Sequence, residues 1–285
     1  MRYMMSRYLN TDEIHQGLLS LLEVFDELCK ENDLPYFLAG GTLLGAIRHE
    51  GFIPWDDDAD VMMLREDYDK LLKLGNQLPN NLELKSIETD CDWEYPFAKI
   101  NDKTTIVDDE YRLAQHGLFL DIFPIDKLPE KKWKQNIIVR KIKFMDVLRG
   151  SSSKKKFKPD ERFLFLKKII SRYAQKRGAS FFSRKIDRYV RKLNRINQKS
   201  KVNGVILVPN YGTREFVPVE LYNAQEYVKF ESITLSVPKG YETYLSSLYG
   251  NYMQLPPENE RVGGHYRIRR VIDSDEIGNF GGKNK

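Results

Sequence analysis

The sequence predicts an α+β fold: a mixed sheet with flanking helices, interrupted by a basic helical insertion. Three observations predict it. Short apolar runs such as YFLA, VMML, FAKI and LFLDIF alternate with segments of helical periodicity before residue 127, and β-branched runs return after residue 201. Between them the pattern turns helical. The same stretch, 127–201, holds 26 Lys and Arg against 5 Asp and Glu, although the 285-residue chain carries a formal net charge of only +5. The expected organisation is a core over 1–126, the insertion over 127–201, and a C-terminal part over 202–285 that completes the core.

Each element has its own justification. Residues 11–32 set Leu18, Leu21, Leu22, Phe25 and Leu28 on one helical face, with Thr11 as the expected N-cap ahead of Asp12 and Glu13. Residues 36–39 read as a buried strand entering a tight turn at Gly40 and Gly41, and TLLGAIRHEG as a short helix closed by Gly51. IPWDDDADVMM reads as a second strand, 65–78 as a helix, and WEYPFAKI and GLFLDIFPI as further strands. The insertion is helical from 130 to 199, broken by an exposed loop at GSSSKKK (150–156). Within it Phe163, Leu166, Ile170 and Tyr173 share one helical side among lysines and arginines. VNGVILVPN and ITLSVP restore strands, and the Gly-rich tail is expected to fray.

Composition excludes several classes. At 41% hydrophobic residues the chain can bury a sizeable core, which argues against disorder throughout. Cys29 and Cys91 have no CxxC or Cys/His spacing, so neither a disulfide framework nor a zinc site is expected, and a reducing compartment fits. No signal-peptide core and no run of 18 apolar residues occurs, so secretion and membrane spanning are disfavoured. The expectation is a cytoplasmic protein, peripheral at the inner face of the membrane if the insertion binds anionic lipid.

The chemistry concentrates in Asp56, Asp57, Asp58 and Asp60. On a strand Asp56, Asp58 and Asp60 share a face, and three like charges there call for a cation. Oxygen ligands suit Mg²⁺ or Mn²⁺, whose shell substrate phosphates complete. The bland alternative is a solvated acidic loop. Gly40 and Gly41, just upstream, allow close backbone approach by a phosphate at a helix N-terminus. Asp121, inside the apolar LFLDIFPI, is the natural third member of a metal or base constellation, whereas Asp126 reads as a turn residue.

The segment LAGGTLLGAIRHEGFIPWDDDADV resembles the signature of the LicD family, phosphocholine transferases related to the fukutin-type enzymes. YPFAKI, LFLDIFPID and LYGNYMQLPP extend the resemblance over about 10–125 and 205–270. It implies a nucleotidyltransferase-like fold and a transfer of phosphocholine from a CDP-choline-like donor. The implied acceptor is a hydroxyl of a cell-surface glycan such as lipopolysaccharide, teichoic acid or capsule, or of a lipid-linked oligosaccharide. It further implies phosphate binding by Gly40 and Gly41, and Mg²⁺ binding by Asp58 and Asp60 with Asp56 nearby. Asp121 would be the third acid, as metal ligand or base. Residues 130–200 match no shared motif.

Around this centre Arg48 is expected either to clamp a phosphate or to pair with an aspartate. Lys99 must reach a phosphate or Asp121. Arg261 and His265 are candidates for a substrate site or for surface ion pairs, and His15 reads as solvent-facing. The alternative enzymatic reading is transfer of another phospho-alcohol or sugar phosphate. A nucleic-acid-binding protein is the different-class alternative, and it is not expected because the insertion lacks a recognition motif. The insertion is expected to decide where the enzyme works, at an anionic membrane surface, or else to be a solvated helical face.

Overall fold

The computed structural model describes residues 7–108, 116–156, 164–263 and 266–271. The first helix, α1 (Thr11–Glu31), opens on a capping box: the Asn10 side chain accepts the Glu13 N–H at 2.9 Å and Glu13 accepts the Asn10 N–H at 3.0 Å. The cap is therefore Asn10 and not Thr11, because Glu13 can return the bond to Asn10 whereas Ile14 could not return one to Thr11. Then follow β1 (Phe37–Leu38), α2 (Gly40–His49), β2 (Asp60–Leu64), α3 (Arg65–Leu71), β3 (Leu82–Lys85), β4 (Ala98–Asp102), β5 (Thr105–Asp108) and β6 (Leu118–Lys127). The insertion supplies α4 (Lys132–Ser152), α5 (Leu164–Gln175) and α6 (Ala179–Ile196). The remainder gives β7 (Val202–Gly204), β8 (Val217–Pro218), β9 (Gln225–Phe230), β10 (Ile233–Pro238), α7 (Tyr241–Tyr249) and β11 (Arg267–Arg270).

The main sheet runs β1-β2-β6-β4-β3 and bears out the α+β expectation. Only the β2–β6 pairing on this path is parallel, and the far end of β6 pairs with β7, which pairs with β8. One face of the sheet is closed by α1, whose Leu18, Leu21, Leu22 and Phe25 are buried, and a Cβ at Gly17 would lie 2.4 Å from Leu118. That glycine sets how closely the helix approaches β6. The other face is left for the insertion, the C-terminal part and a cleft.

A second apolar cluster joins the insertion to this other side. Ile138, Val139 and Ile142 of α4 and Ile186 and Val190 of α6 pack with Trp93, Tyr95, Phe97, Leu128, Ile206 and Leu207. A charge network reinforces it: Arg65 is bidentate to Asp126 at 2.8 and 2.6 Å and reaches Asp187 of α6 at 3.6 Å, while Arg191 binds Asp187, Asp69 and Glu88. Asp126 is thus fully buried on β6 and no turn residue. A carboxylate can sit there because Arg65 satisfies both oxygens.

Other local expectations are revised. Gly40 and Gly41 form the first turn of α2 itself, β2 begins only at Asp60, and α3 is short, followed by a 3₁₀ turn at Gly75–Gln77. GSSSKKK is no exposed loop at its start: α4 runs through Ser152, Ser152 and Ser153 are buried, and the Ser153 hydroxyl donates to Glu94. Local polarity cannot reveal a partner 59 residues away. The α5 helix lies where expected, and Phe163 falls outside the described residues. Cys29 is buried and Cys91 exposed, both as free thiols.

One feature of α4 stands apart from packing. Its buried apolar side is opposed by Trp133, Ile137, Phe144 and Val147, which are 53–65% exposed and fall within an arc of about 80° on the helix. Phe165, Ile169 and Tyr173 of α5 are exposed as well. Among the described residues, no helix is long and apolar enough to cross a membrane.

Candidate active site

Register alone builds the centre. In the parallel pair Asp60 of β2 stands opposite Asp121 of β6, and in the antiparallel pair Asp121 stands opposite Lys99 of β4. Residues paired across a sheet point to the same face, so these three side chains form one transverse row. Lys99 Nζ is 2.7 Å from Asp121 Oδ1, and its ammonium also lies 3.4 Å from the Phe119 ring centre and 4.4 Å from that of Tyr95. The expectation that Lys99 reaches Asp121 is met.

The loop before β2 brings the other aspartates. Burial alternates along it even though the ladder starts only at Asp60: Asp57 and Ala59 are buried, while Asp56, Asp58 and Asp60 are half-buried. Asp57 turns inward and accepts the Tyr266 N–H at 2.8 Å, which makes it structural. Thr42 of α2 accepts the Asp60 N–H at 2.8 Å, tying the strand to the helix start. A Cβ at Gly41 would lie 2.7 Å from Asp56 Oδ2, and one at Gly40 would lie 3.3 Å from Asp60 Oδ2. Gly40 also has φ +49°, which favours glycine, and both glycines let the aspartates pack closely against the start of α2.

Crowding shows in the electrostatics. Burial, followed by the charges of Asp58, Asp121 and Asp56, holds the Asp60 carboxyl well above the usual carboxylate range, with Lys99 pulling the other way. Asp121 is raised by burial against the pull of Lys99, and Lys99 is lowered by burial against the pull of Asp121. A cleft of about 360 Å³ opens over this row, lined by Gly40, Asp58, Asp60, Lys99 and Asp121 among others.

Several lining residues carry no signal in the local sequence. Asp146 and Arg149 come from α4, so the insertion contributes to the cleft itself. Arg149 Nε donates to Asp146 at 2.7 Å, and its guanidinium lies 5.3 Å from the Tyr95 ring centre. Tyr211, Glu215, Tyr244 and Tyr266 line the C-terminal side. Tyr211 and Tyr249 share a hydroxyl–hydroxyl bond of 2.8 Å, and Glu215, which accepts from Tyr244, is pushed up to about 8 by burial. The resemblance of LYGNYMQLPP pointed to the Tyr249 region but to no particular side chain.

Two expected residues lie elsewhere, and a third is not described. Arg48 donates to His49 and to the Tyr252 carbonyl, pairs with no aspartate among the described residues and is not among the residues lining the cleft. Arg261 donates to the Pro256 carbonyl and lies 5.6 Å from the Trp55 ring centre, with no ion pair to a described residue. His265 falls outside the described residues. His15, read as solvent-facing, stacks on Phe52 with ring centres 4.5 Å apart and meets the Asp56 carbonyl at 2.7 Å. The carbonyl can only accept, so His15 carries its proton on Nε2 and holds the aspartate loop from behind. A lone histidine on a helix gave no hint of that distant partner.

A hard divalent cation fits these residues. Asp56, Asp58, Asp60 and Asp121 offer hard oxygen donors, and the Asp60 carboxyl is raised by burial first and then by its acidic neighbours, beyond what Lys99 offsets. Among the described residues no group of three or more His, Cys, Asp or Glu side chains is assembled to hold an ion unaided. Such a site suits an ion whose shell is completed by substrate oxygens.

Comparison with known proteins follows the same residues. Positions 33–146, which contain the whole row, match the family model described as LicD/FKTN/FKRP, nucleotidyltransferase domain. The lipopolysaccharide cholinephosphotransferase LicD of Haemophilus influenzae is 31% identical over 262 residues, covering 89% of this chain and 95% of that protein. An uncharacterised protein of Rickettsia typhi is 34% identical over 88 residues, 30% of this chain and 28% of its own length. With the shared segment running through the Gly-Gly turn, the aspartate loop and the Lys99–Asp121 pair, the chain belongs to the LicD family of phosphotransferases.

Proposed function

We propose that the protein transfers phosphocholine from a CDP-activated donor to a hydroxyl of a lipopolysaccharide-type glycan. The observation that carries this reading is the register row Asp60–Asp121–Lys99 lying beside the Gly40–Gly41 start of α2, in a chain similar along most of its length to a lipopolysaccharide cholinephosphotransferase. In this reading Asp58 and Asp60 would hold Mg²⁺ or Mn²⁺, with Asp56 and Asp121 as further acidic neighbours. The ion would offset charge on the transferring phosphoryl group. The first amides of α2 and the Arg149 guanidinium bind phosphate oxygens, a role that the position of Arg48 does not support.

Lys99 holds Asp121 at a fixed distance from the cleft. As the acceptor oxygen forms its bond to phosphorus, Asp121 takes the hydroxyl proton, the bond from phosphorus to the CMP oxygen breaks, and CMP leaves. The raised Asp121 carboxyl is consistent with that proton acceptance. Tyr211 and Tyr266 line the cleft, where an aromatic ring would meet the quaternary ammonium. Partner binding at an anionic membrane surface is supported by the exposed apolar stripe of α4, the lysines and arginines around it, and the lipopolysaccharide acceptor of the relative.

A panel of CDP-alcohols with de-O-acylated lipopolysaccharide as acceptor tests the reading. CMP release with transfer should be greatest with CDP-choline, should be lost in EDTA, and should be abolished in Asp58→Asn and Asp60→Asn with folding retained. Preference for CDP-glycerol or CDP-ribitol would replace the donor. Full turnover in either variant would remove the site.

A further inference from the structure

The Lys99 row is not the end of the polar face. On β4 the next residue on the same side is Asn101, and on β3 Lys85 pairs with Lys99 and Glu83 with Asn101. These residues floor a second depression of about 680 Å³, roofed by Ser152, Ser153 and Gln175 of the insertion. Its volume lies in the range of small-molecule sites. Consecutive residues divide the two hollows: Glu94 lines this one and Tyr95 the catalytic cleft. The divide is held in place, since Arg149 and Ser183 both donate to the Glu94 carbonyl and the Trp93, Tyr95 and Phe97 rings lie in successive contact at 5.4 Å.

The lining states the ligand's chemistry. Asn101 is 3% exposed, and its side-chain oxygen is buried with no hydrogen-bond partner. A buried carbonyl oxygen without a donor is a loss in the free protein that an incoming hydroxyl would recover. The lining also holds Asp92, the Glu83 and Asp90 carboxylates, each 3.6 Å from Lys85, and Glu94, which accepts from Ser153 and meets His116, with the Trp93 ring as an apolar wall. Lysines 85, 154 and 155 balance those charges. Mixed acids, amides and one aromatic wall suit a neutral, hydroxyl-rich oligosaccharide. In-line displacement further requires attacking and leaving oxygens on opposite sides of phosphorus, and two hollows meeting at Tyr95 on one sheet face provide two approaches.

We infer that this second depression, between β3, β4 and the insertion, binds sugar units of the acceptor and presents its hydroxyl past Tyr95 to the Asp121 side of the cleft. The inference rests on the transferase reading above and adds the acceptor subsite to it. It also gives the insertion a part in acceptor recognition.

The test uses the full chain and the core oligosaccharide released from lipopolysaccharide by mild acid. Titration followed by saturation-transfer NMR should show binding without donor. Asn101→Ala should weaken that binding, and raise the acceptor KM, roughly five- to tenfold, the worth of one hydrogen bond, while the donor KM moves less than twofold. Gln175→Trp, an exposed rim change that leaves the core untouched, should raise the acceptor KM in the same selective way even if Asn101→Ala alters folding. An unchanged acceptor KM in both folded variants, or a rise in donor KM instead, would overturn the inference. Inorganic phosphate competing with the oligosaccharide would overturn it as well, because the hollow would then be an anion site. Loss of transfer in Asp58→Asn, with both rim and floor variants behaving as wild type, would discard the subsite and keep the transferase. Transfer surviving in Asp58→Asn would discard the aspartate site, and absence of transfer by the wild-type chain would discard the transferase reading itself.

Discussion

Lys99→Met isolates what the central ion pair does. The substitution keeps an unbranched apolar stem between Tyr95 and Phe119 and removes only the ammonium, which lies 2.7 Å from Asp121 and 3.4 Å from the Phe119 ring centre. Asp121 and Asp60 are then left in the row without their buried cation. Removing one member of a buried ion pair costs roughly 3–5 kcal/mol. At about 2–4 °C per kcal/mol for a chain of this size, Tm should fall by roughly 10 °C. Asp121→Asn should cost less, because it also relieves repulsion on Asp60, whose carboxyl is raised partly by Asp121. In the double variant the losses should not add: a coupling on the order of 2 kcal/mol is expected for groups in contact. Urea unfolding of the four proteins in EDTA, which prevents a divalent ion from replacing the ammonium, closes the cycle. Additive losses within about 0.5 kcal/mol, or a Lys99→Met protein as stable as wild type, would refute the reasoning.

Two further outcomes are expected. Glu215, buried and raised from 4.5 to about 8, is protonated in the fold at neutral pH and carries stability that is full below about pH 4.5 and lost as pH rises through 8. Wild type should therefore lose on the order of 4 kcal/mol relative to Glu215→Gln between pH 5 and 9, and parallel pH profiles would show that this carboxyl ionises freely. The α4 stripe should bind anionic vesicles more than zwitterionic ones, weaken as salt rises, and lose roughly 100-fold in partitioning when Lys132, Arg140 and Lys143 become Gln. Equal partitioning onto both vesicle types, or a stripe buried in a dimer detected by light scattering, would reject a membrane role.

What the sequence determined by itself is local in origin. The helical face of 11–32, the strand character of LFLDIFPI and the four acids are periodicity and composition, which neighbours in the chain settle. Even the alternation of Asp56, Asp58 and Asp60 against Asp57 followed from the two-residue period, although the ladder begins only at Asp60. Asp121 was marked by its place in an apolar run, before the family resemblance pointed to it as well. What only the tertiary structure decided is which distant groups answer each charge. Asp126 looked like a turn because its partner, Arg65, is 61 positions away, and His15 looked idle because the Asp56 carbonyl is 41 positions away. Arg149, not Arg48, lines the cleft because α4 folds back over the sheet, a consequence of the second apolar cluster and the Arg65–Asp187 network. Charge solvation inside a protein is a property of the surrounding volume, and the chain's order carries that information only after the strands have chosen their register.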